Sequence, residues 1–136
     1  KILLQRRALG KYHTPGLWAN TCCTHPYWNE IDTDCANRRL FEELHLSDLK
    51  LENRGQIEYR ADVGKGLIEH EVVEIFTATC SNPPKVIPNP EEVMEVKWID
   101  QIELANKVKL NPDEFTPWLR IYMLKHFEQI SGTITA

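Results

Sequence analysis

The chain has 136 residues, 42% of them apolar and 26% charged, which fits a single domain and excludes a multidomain protein. It holds no stretch near the roughly 20 uninterrupted apolar residues of a membrane helix, and its first seven residues are too few and too charged for a signal peptide. The net charge of −4 argues against a general nucleic-acid binder. We therefore expect a cytoplasmic protein with no membrane or nucleic-acid partner.

Four cysteines are present, and their spacing bears on the choice between a zinc site, disulfides and a reactive thiol. Cys22 and Cys23 are neighbours, and neither forms a C-x-x-C pair with Cys35 or Cys80. A zinc ribbon is therefore not predicted. Without a secretory signal the thiols should stay reduced, which makes a reactive cysteine admissible.

The first half of the chain is predicted to form a strand, a long loop and a helix. An apolar run at residues 2–4, continued by Arg6-Arg7-Ala8-Leu9, indicates the strand, and the glycines and prolines between Gly10 and Trp28 indicate the loop. The helix is predicted over Asp32–Leu46, with Asp32 or Thr33 as N-cap. It carries the apolar stripe Ala36, Leu40, Leu44 and the i, i+4 ion pairs Arg38/Glu42 and Arg39/Glu43.

The second half is predicted to form three strands and then two helices. A turn around Gly64-Lys65-Gly66 joins two of the strands into a hairpin, and the proline-rich residues 82–90 form a loop before the third. The predicted strands are Gln56–Arg60, Leu67–Thr77 and Val93–Ile99, and the predicted helices are Ile102–Leu110 and Phe115–Phe127, with Pro117 in the first turn of the latter. This mixed order of elements predicts one α+β domain over residues 1–136.

The central helix carries the most informative pattern of the sequence. Its glutamates and arginines resemble the Nudix box, G-x5-E-x7-R-E-U-x-E-E-x-G-U, where U is a bulky aliphatic residue. The box is met at Glu30, Arg38, Leu40, Glu42, Glu43 and Leu46, and it is not met at Thr24, Arg39 and His45. Taken alone, the same segment is equally typical of an amphipathic helix with solvated charge pairs.

The flanking segments make the resemblance more specific. They read Asn20-Thr21-Cys22-Cys23-Thr24-His25-Pro26 before the helix and Glu69-His70-Glu71 after it, with Arg6–Lys11 upstream and Thr116-Pro117-Trp118 near the end. Together they resemble the type 1 isopentenyl-diphosphate isomerase family, whose Nudix box is degenerate in this way. The resemblance implies a Nudix fold, with a mixed sheet flanked by helices, and the interconversion of isopentenyl and dimethylallyl diphosphate. An isoprenoid diphosphate is then the small-molecule partner.

That reaction protonates one side of a carbon–carbon double bond and removes a proton from the other, so it needs two acid–base groups in a dry site. By its position in the motif, Cys23 matches the family's catalytic cysteine. Its neighbour Cys22 should point to the opposite face if the segment is extended. Glu71 matches the carboxylate on the other side of the substrate, and the hydroxyl of Tyr59 is expected to hydrogen-bond to it.

The resemblance also implies a metal site and a diphosphate site. His25, Glu69 and Glu71 match ligands of a divalent metal, which could be Mg²⁺, Mn²⁺ or Zn²⁺, and Glu43 matches a ligand of the Mg²⁺ that accompanies the diphosphate. Spacing i, i+2 puts Glu69 and Glu71 on one face of a strand, interrupting an apolar face, with His70 on the other. The residues matching substrate contacts are Arg7, Lys11 and Arg39 for the diphosphate and Trp118 for the isoprenoid tail.

The family's metal site takes three histidines, of which His25 alone stands here in a matching motif. The other two come from a segment that precedes the first strand, so we expect the chain to be N-terminally incomplete and, on its own, weak in metal binding and activity. Two alternatives differ in chemistry. A Nudix hydrolase of a nucleoside diphosphate derivative would need the glutamate that Arg39 replaces, and a non-catalytic Nudix-like binding domain would not need Cys23 and Glu71.

Overall fold

The computed structural model describes residues 1–131, which fold into five strands, four α-helices and one 3-10 turn. The predicted α+β architecture is confirmed. In chain order the elements are β1 Ile2–Arg7, β2 Trp18–Ala19, α1 Asp32–Leu44, β3 Glu52–Gly64, β4 Leu67–Thr77, β5 Val93–Ile99, α2 Gln101–Leu110, the 3-10 turn Pro112–Glu114, α3 Pro117–Lys125 and α4 Phe127–Ser131. No helix within residues 1–131 is long and apolar enough to cross a membrane.

The strands form a three-stranded sheet in the order β2-β1-β5 and a separate β3-β4 hairpin. Within residues 1–131 the pairs of named strands are antiparallel, and an isolated bridge between Trp18 and Phe115 supplies parallel pairing. Lys65 and Gly66, both at positive φ, close the hairpin, as the right-handed strand twist favours for a two-residue turn. The register of β1 against β5 shifts between Arg6 and Arg7. Such an irregularity re-aims a side chain, and here Arg6 pairs with exposed Glu95 while Arg7 lines a cleft.

The structure corrects several predicted boundaries. Helix α1 ends at Leu44, two residues early, because His45 adopts a left-handed conformation with φ of 53° as the C-cap. Ile31 is the N-cap and makes no side-chain hydrogen bond there, so the prediction of Asp32 or Thr33 was wrong. The segment predicted as one helix from Phe115 divides into α3 and α4, with His126 as the C-cap of α3.

Other differences lie in the strands. Strand β3 begins at Glu52 rather than Gln56, and the predicted loop contains the short strand β2. Strands β4 and β5 match their predicted ranges. The inward positions of β3 are buried from Ile57 onward and alternate with exposed ones, as a half-buried strand requires.

The apolar clusters place the two neighbouring cysteines on different parts of the core. Cys23 packs against the cluster that includes Tyr59 and Trp118, between the hairpin and α3. Cys22 packs against the cluster that includes Leu40 and Leu44 of α1. The expectation that the two side chains diverge is therefore confirmed, and the Cys22-Cys23 segment lies between α1 and the hairpin.

Candidate functional site

A cleft of about 280 Å³ opens between the loop after β1, α1, β4 and α3. Seven of the ten residues predicted for the site line it: Arg7, Lys11, Cys23, His25, Arg39, Glu69 and Trp118. The remaining three, Glu43, Tyr59 and Glu71, are not lining residues but contact Arg39, Glu69 and His25 respectively. A larger cleft, of about 370 Å³, shares His13 with the first but contains none of the ten.

The two cysteines differ in their polar contacts as well as in their packing. The thiol of Cys22 donates to Glu43 Oε2 over 2.8 Å. Cys23 lines the cleft instead. Burial, reinforced by the negative charges of Glu69 and Glu71 and opposed by Arg7, raises the pKa of Cys23 to about 12. Cys23 therefore carries its proton at neutral pH, as a neutral thiol inside the cleft.

Strand β4 supplies two carboxylates to a group that can hold a cation. Glu69 and Glu71 share the half-buried face of the strand, while His70 faces outward and contacts Glu58, as expected. One ligand atom each from His25, Glu69 and Glu71 lies within 4.8 Å of the others, and His25 Nε2 is 2.9 Å from Glu71 Oε1. Burial and the neighbouring charge of Glu69 raise the pKa of Glu71, against the opposing effect of His25. Two carboxylates and an imidazole fit the donor set of a divalent cation.

Tyr59 contacts the carboxylate of Glu69, whereas the predicted partner was Glu71. Its hydroxyl donates to Glu69 Oε2 over 3.0 Å, so the expected hydrogen bond to Glu71 was wrong. The backbones of Tyr59 and Glu71 are directly opposite in the hairpin, but the long tyrosine side chain reaches the diagonal neighbour two residues along. The second oxygen of Glu69 lies 3.4 Å from His13 Nε2. Both oxygens of Glu69 therefore have protein partners.

The other side of the cleft carries the basic side chains. Arg39 contacts Glu42 at 3.0 Å and both Glu43 and Glu92 at 3.5 Å. Glu43 is only 4% exposed, and burial raises its pKa. Glu92 also accepts a hydrogen bond from Lys11. These contacts join Lys11 and Glu92 to Arg39, Glu42 and Glu43 of α1 in one ion-pair network.

Arg7 lies next to Trp118, where β1 meets α3. Its guanidinium lies 5.3 Å from the centre of the indole ring, and its buried Nε has no hydrogen-bond partner within residues 1–131. Trp118 is 1% exposed as a residue, yet its ring lines the cleft, and its indole N–H donates to Asn20 Oδ1 over 3.1 Å. Asn20 of the motif thus fixes the ring, and Trp118 is both a core residue and a cleft residue.

Contacts on α1 and beside it account for matched positions of the Nudix box and for one of its three departures, His45. Arg38 donates to Glu30 at 2.8 and 2.9 Å and to Glu42 at 2.8 Å, which confirms the predicted Arg38/Glu42 pair. Hydrogen bonds from Arg38 lower the pKa of Glu30 to about 2. His45 occupies the position of the final glycine, and its imidazole Nδ1 lies 2.9 Å from the carbonyl oxygen of Ile87. That contact holds a non-glycine residue in the left-handed region.

Two residues of the site were missed by the sequence reasoning. His13 contacts Glu69 and packs edge-on against Trp118, with ring centres 5.9 Å apart. Glu92 contacts both Lys11 and Arg39, which precede it by 81 and 53 residues respectively. Neither stands in the motifs that identified the other residues. The acidic pair Glu91-Glu92 just before a predicted strand was the only signal for the latter.

Comparison with known proteins gives consistent results. The model of the NUDIX domain matches residues 1–119. The isopentenyl-diphosphate Delta-isomerase of Dinoroseobacter shibae is 63% identical over 134 residues, covering 98% of this chain and 76% of that protein. The enzyme of the same name from Rhodobacter capsulatus is 55% identical over 136 residues, covering 100% of this chain and 77% of that protein.

Solved structures support the fold at much lower identity. A MutT protein from Methanosarcina mazei superposes with a TM-score of 0.70 at 15% identity, covering 96% of this chain and 85% of that one. The Nudix hydrolase RenU from M. smegmatis superposes with a TM-score of 0.62 at 21% identity, covering 98% and 76%. At this identity the likeness concerns the fold alone.

Proposed function

Because the chain belongs to the NUDIX superfamily and, within it, to the isopentenyl-diphosphate Delta-isomerase family, we propose that it interconverts isopentenyl and dimethylallyl diphosphate. The observation that carries the proposal is a single cleft lined by a cysteine, a half-buried carboxylate of β4 and four lysine or arginine side chains, three of which match diphosphate contacts. The carboxylates suit proton transfer and cation binding, and the basic side chains suit a diphosphate.

The reaction adds a proton to the terminal carbon of the double bond and removes one from the carbon beyond the branch point. One C–H bond forms and one breaks, and the diphosphate is untouched. An alkene is a feeble base, and its protonation gives a tertiary carbocation that water would capture. The site must therefore exclude water and present two acid–base groups to the substrate.

Cys23 and Glu71 are the two groups to which we assign proton transfer. The thiol of Cys23 holds a proton at neutral pH, and burial raises the pKa of Glu71, so neither group is an ordinary solvated side chain. Reversal of the reaction exchanges the donor and the acceptor. Tyr59 supports this pair through Glu69, which its hydroxyl fixes beside Glu71 on β4.

Arg7, Lys11 and Arg39 bind the diphosphate in this proposal. Arg7 lines the cleft, and its Nη2 donates to the backbone carbonyl of His13 over 3.3 Å, which holds the guanidinium beside the bound diphosphate in this proposal. Arg39 occupies the position at which the Nudix box has a glutamate. A guanidinium there binds the phosphate that a hydrolase would attack. The ring of Trp118 would stabilise the carbocation by a cation–π interaction of about 2 kcal/mol once desolvated.

Two cations complete the proposal. His25, Glu69 and Glu71 would hold a divalent ion, Mg²⁺, Mn²⁺ or Zn²⁺, and Glu43 would hold the Mg²⁺ of the diphosphate. A bound ion supplies positive charge that withdraws electrons from its carboxylates and offsets their mutual repulsion. His25, Glu69 and Glu71 fit this use, since the carboxylates of Glu69 and Glu71 form no ion pair with a lysine or arginine within residues 1–131, whereas Glu43 contacts Arg39 and the thiol of Cys22.

The test is incubation of the protein, as its gene encodes it, with isopentenyl diphosphate and Mg²⁺ in deuterated water. We expect dimethylallyl diphosphate and deuterium uptake into carbon, without phosphate release. Phosphate release without uptake would identify the alternative, a Nudix hydrolase of a nucleoside diphosphate derivative or related diphosphate. If neither deuterium uptake nor phosphate release occurs, the protein is a binding domain.

A further inference from the structure

Glu92 lies on a turn whose backbone is fixed to two other parts of the cleft. The backbone N–H of Asn89 donates to the carbonyl of Glu43 over 2.8 Å, and its side-chain amide donates to the carbonyl of Glu42 over 3.3 Å. The N–H of Glu92 in turn donates to Asn89 over 3.0 Å, and the carbonyl of Glu92 accepts from Ala8 over 3.0 Å. Glu92 is therefore anchored both to the last turn of α1 and to the loop after β1.

One carboxylate oxygen of Glu92 contacts two basic side chains that come from these two regions. Its Oε2 accepts from Lys11 and lies 3.5 Å from Arg39 Nη2. The side chain is 25% exposed. Burial alone would raise the pKa of Glu92, but the hydrogen bond from Lys11 and the charges of Lys11 and Arg39 outweigh it and lower the pKa. Glu92 is thus an anion at neutral pH.

We infer that Glu92 is a positioning residue that sets the distance between Lys11 and Arg39 for the diphosphate of the substrate. The inference rests on the proposed function, in which both cations bind that diphosphate. Lysine and arginine side chains lose rotamer freedom when they bind a ligand, and a carboxylate that already holds them reduces this loss.

The same carboxylate could act in the opposite way, by competing with the diphosphate for its two partners. Donor capacity argues against competition. An ammonium group has three N–H donors, and Lys11 uses one on Glu92, while Arg39 divides its donors among Glu42, Glu43 and Glu92. Donors of Lys11 therefore remain for a ligand while the side chain is held.

The experiment compares Glu92→Gln with Glu91→Gln in the protein as its gene encodes it. Glu91 is the adjacent exposed carboxylate outside the network, so its variant has the same change in net charge. For Glu92→Gln we expect the KM for isopentenyl diphosphate to rise about three- to tenfold, with kcat changed less than about threefold. Glu91→Gln should leave both constants unchanged. A lower KM for Glu92→Gln would show competition, an unchanged KM would show an ordinary surface ion pair, and either overturns the inference.

A second measurement separates this inference from the proposed function. Calorimetric binding of inorganic pyrophosphate with Mg²⁺ requires no turnover, and we expect the Kd to rise about three- to tenfold in Glu92→Gln. If the wild-type protein binds pyrophosphate but does not isomerise, the proposed function fails while the role of Glu92 is still decided. Should Glu92→Gln lower the melting temperature into the assay range, Glu92→Asp, which keeps the charge but shortens the reach, carries the same expectation.

Discussion

The two sides of the cleft contain similar carboxylates but neutralise them differently. On the side of α1, Glu43 and Glu92 meet Arg39, and Glu92 also meets Lys11, so the chain balances its own charge. On the side of β4, Glu69 and Glu71 meet only histidines among the cationic side chains of residues 1–131. The first side is suited to an anionic ligand held by arginine and lysine, whereas the second is suited to a cation. The two neighbouring cysteines lie on different sides: Cys22 contacts Glu43, and Cys23 packs beside Tyr59.

The largest expected effect comes from breaking this division at the cysteines. Cys23→Ala should lower kcat for isomerisation about 10²- to 10⁴-fold, because a positioned proton-transfer group typically contributes that much. Cys22→Ala removes a packing thiol and a donor to Glu43, and should lower mainly the melting temperature. Both variants are compared by steady-state turnover after their folding has been checked by circular dichroism. Equal loss of turnover in two folded variants would contradict the assignment of Cys23.

Charge reversal tests the side of α1. Arg39→Glu should raise the KM for isopentenyl diphosphate about 10- to 100-fold, since a hydrogen bond to a charged group contributes about 1.5–3 kcal/mol. It should not create an efficient hydrolase, because the attacking water also needs positioning, and phosphate release measures this. Arg60→Glu is the matched control, since Arg60 is exposed on the outer face of β3. An unchanged KM in Arg39→Glu would make Arg39 a helix-surface charge.

Removing one hydroxyl tests the side of β4. Tyr59→Phe deletes the donor to Glu69 and should weaken Mn²⁺ binding about 10- to 100-fold by calorimetry, as loss of a hydrogen bond to a metal ligand typically does. Tyr12→Phe, at a side chain that is 71% exposed, should have no effect. Equal Mn²⁺ affinity in wild type and Tyr59→Phe would refute the metal site at Glu69.

The smallest effect is a pH dependence of stability. The pKa of Glu71 is raised in the folded protein, so without metal the folded state binds this proton more tightly than the unfolded state and loses stability as pH rises above about 4.5. Glu71→Gln has no such loss. In the presence of a chelator, the melting temperature of Glu71→Gln minus that of wild type should therefore increase from pH 4 to pH 7. Excess Mn²⁺ should make wild type the more stable of the two proteins. A constant difference across this range would show that Glu71 is not strained by burial.

The sequence was sufficient for what depends on local pattern and motif. Period-two alternation gave β4 its range and placed Glu69 and Glu71 on one face, and the Cys22-Cys23 spacing predicted their divergence. Contacts that depend on tertiary geometry could not be predicted from the sequence. The hydroxyl of Tyr59 reaches the diagonal carboxylate, a choice that depends on side-chain length and strand twist. Glu92 has no motif, because its role comes from a turn that hydrogen-bonds to the end of α1.

The hydrogen bond between Trp118 and Asn20 joins residues 98 positions apart. Contacts between such distant residues carry a large entropy of loop closure and tend to form late in folding. We therefore expect Trp118 to cover the Cys23 side of the cleft only after α3 has been synthesised and has packed against the rest of the domain. Until then the thiol would be open to solvent and oxidants, so a nascent or partly folded chain should be more easily alkylated at Cys23 than the finished protein.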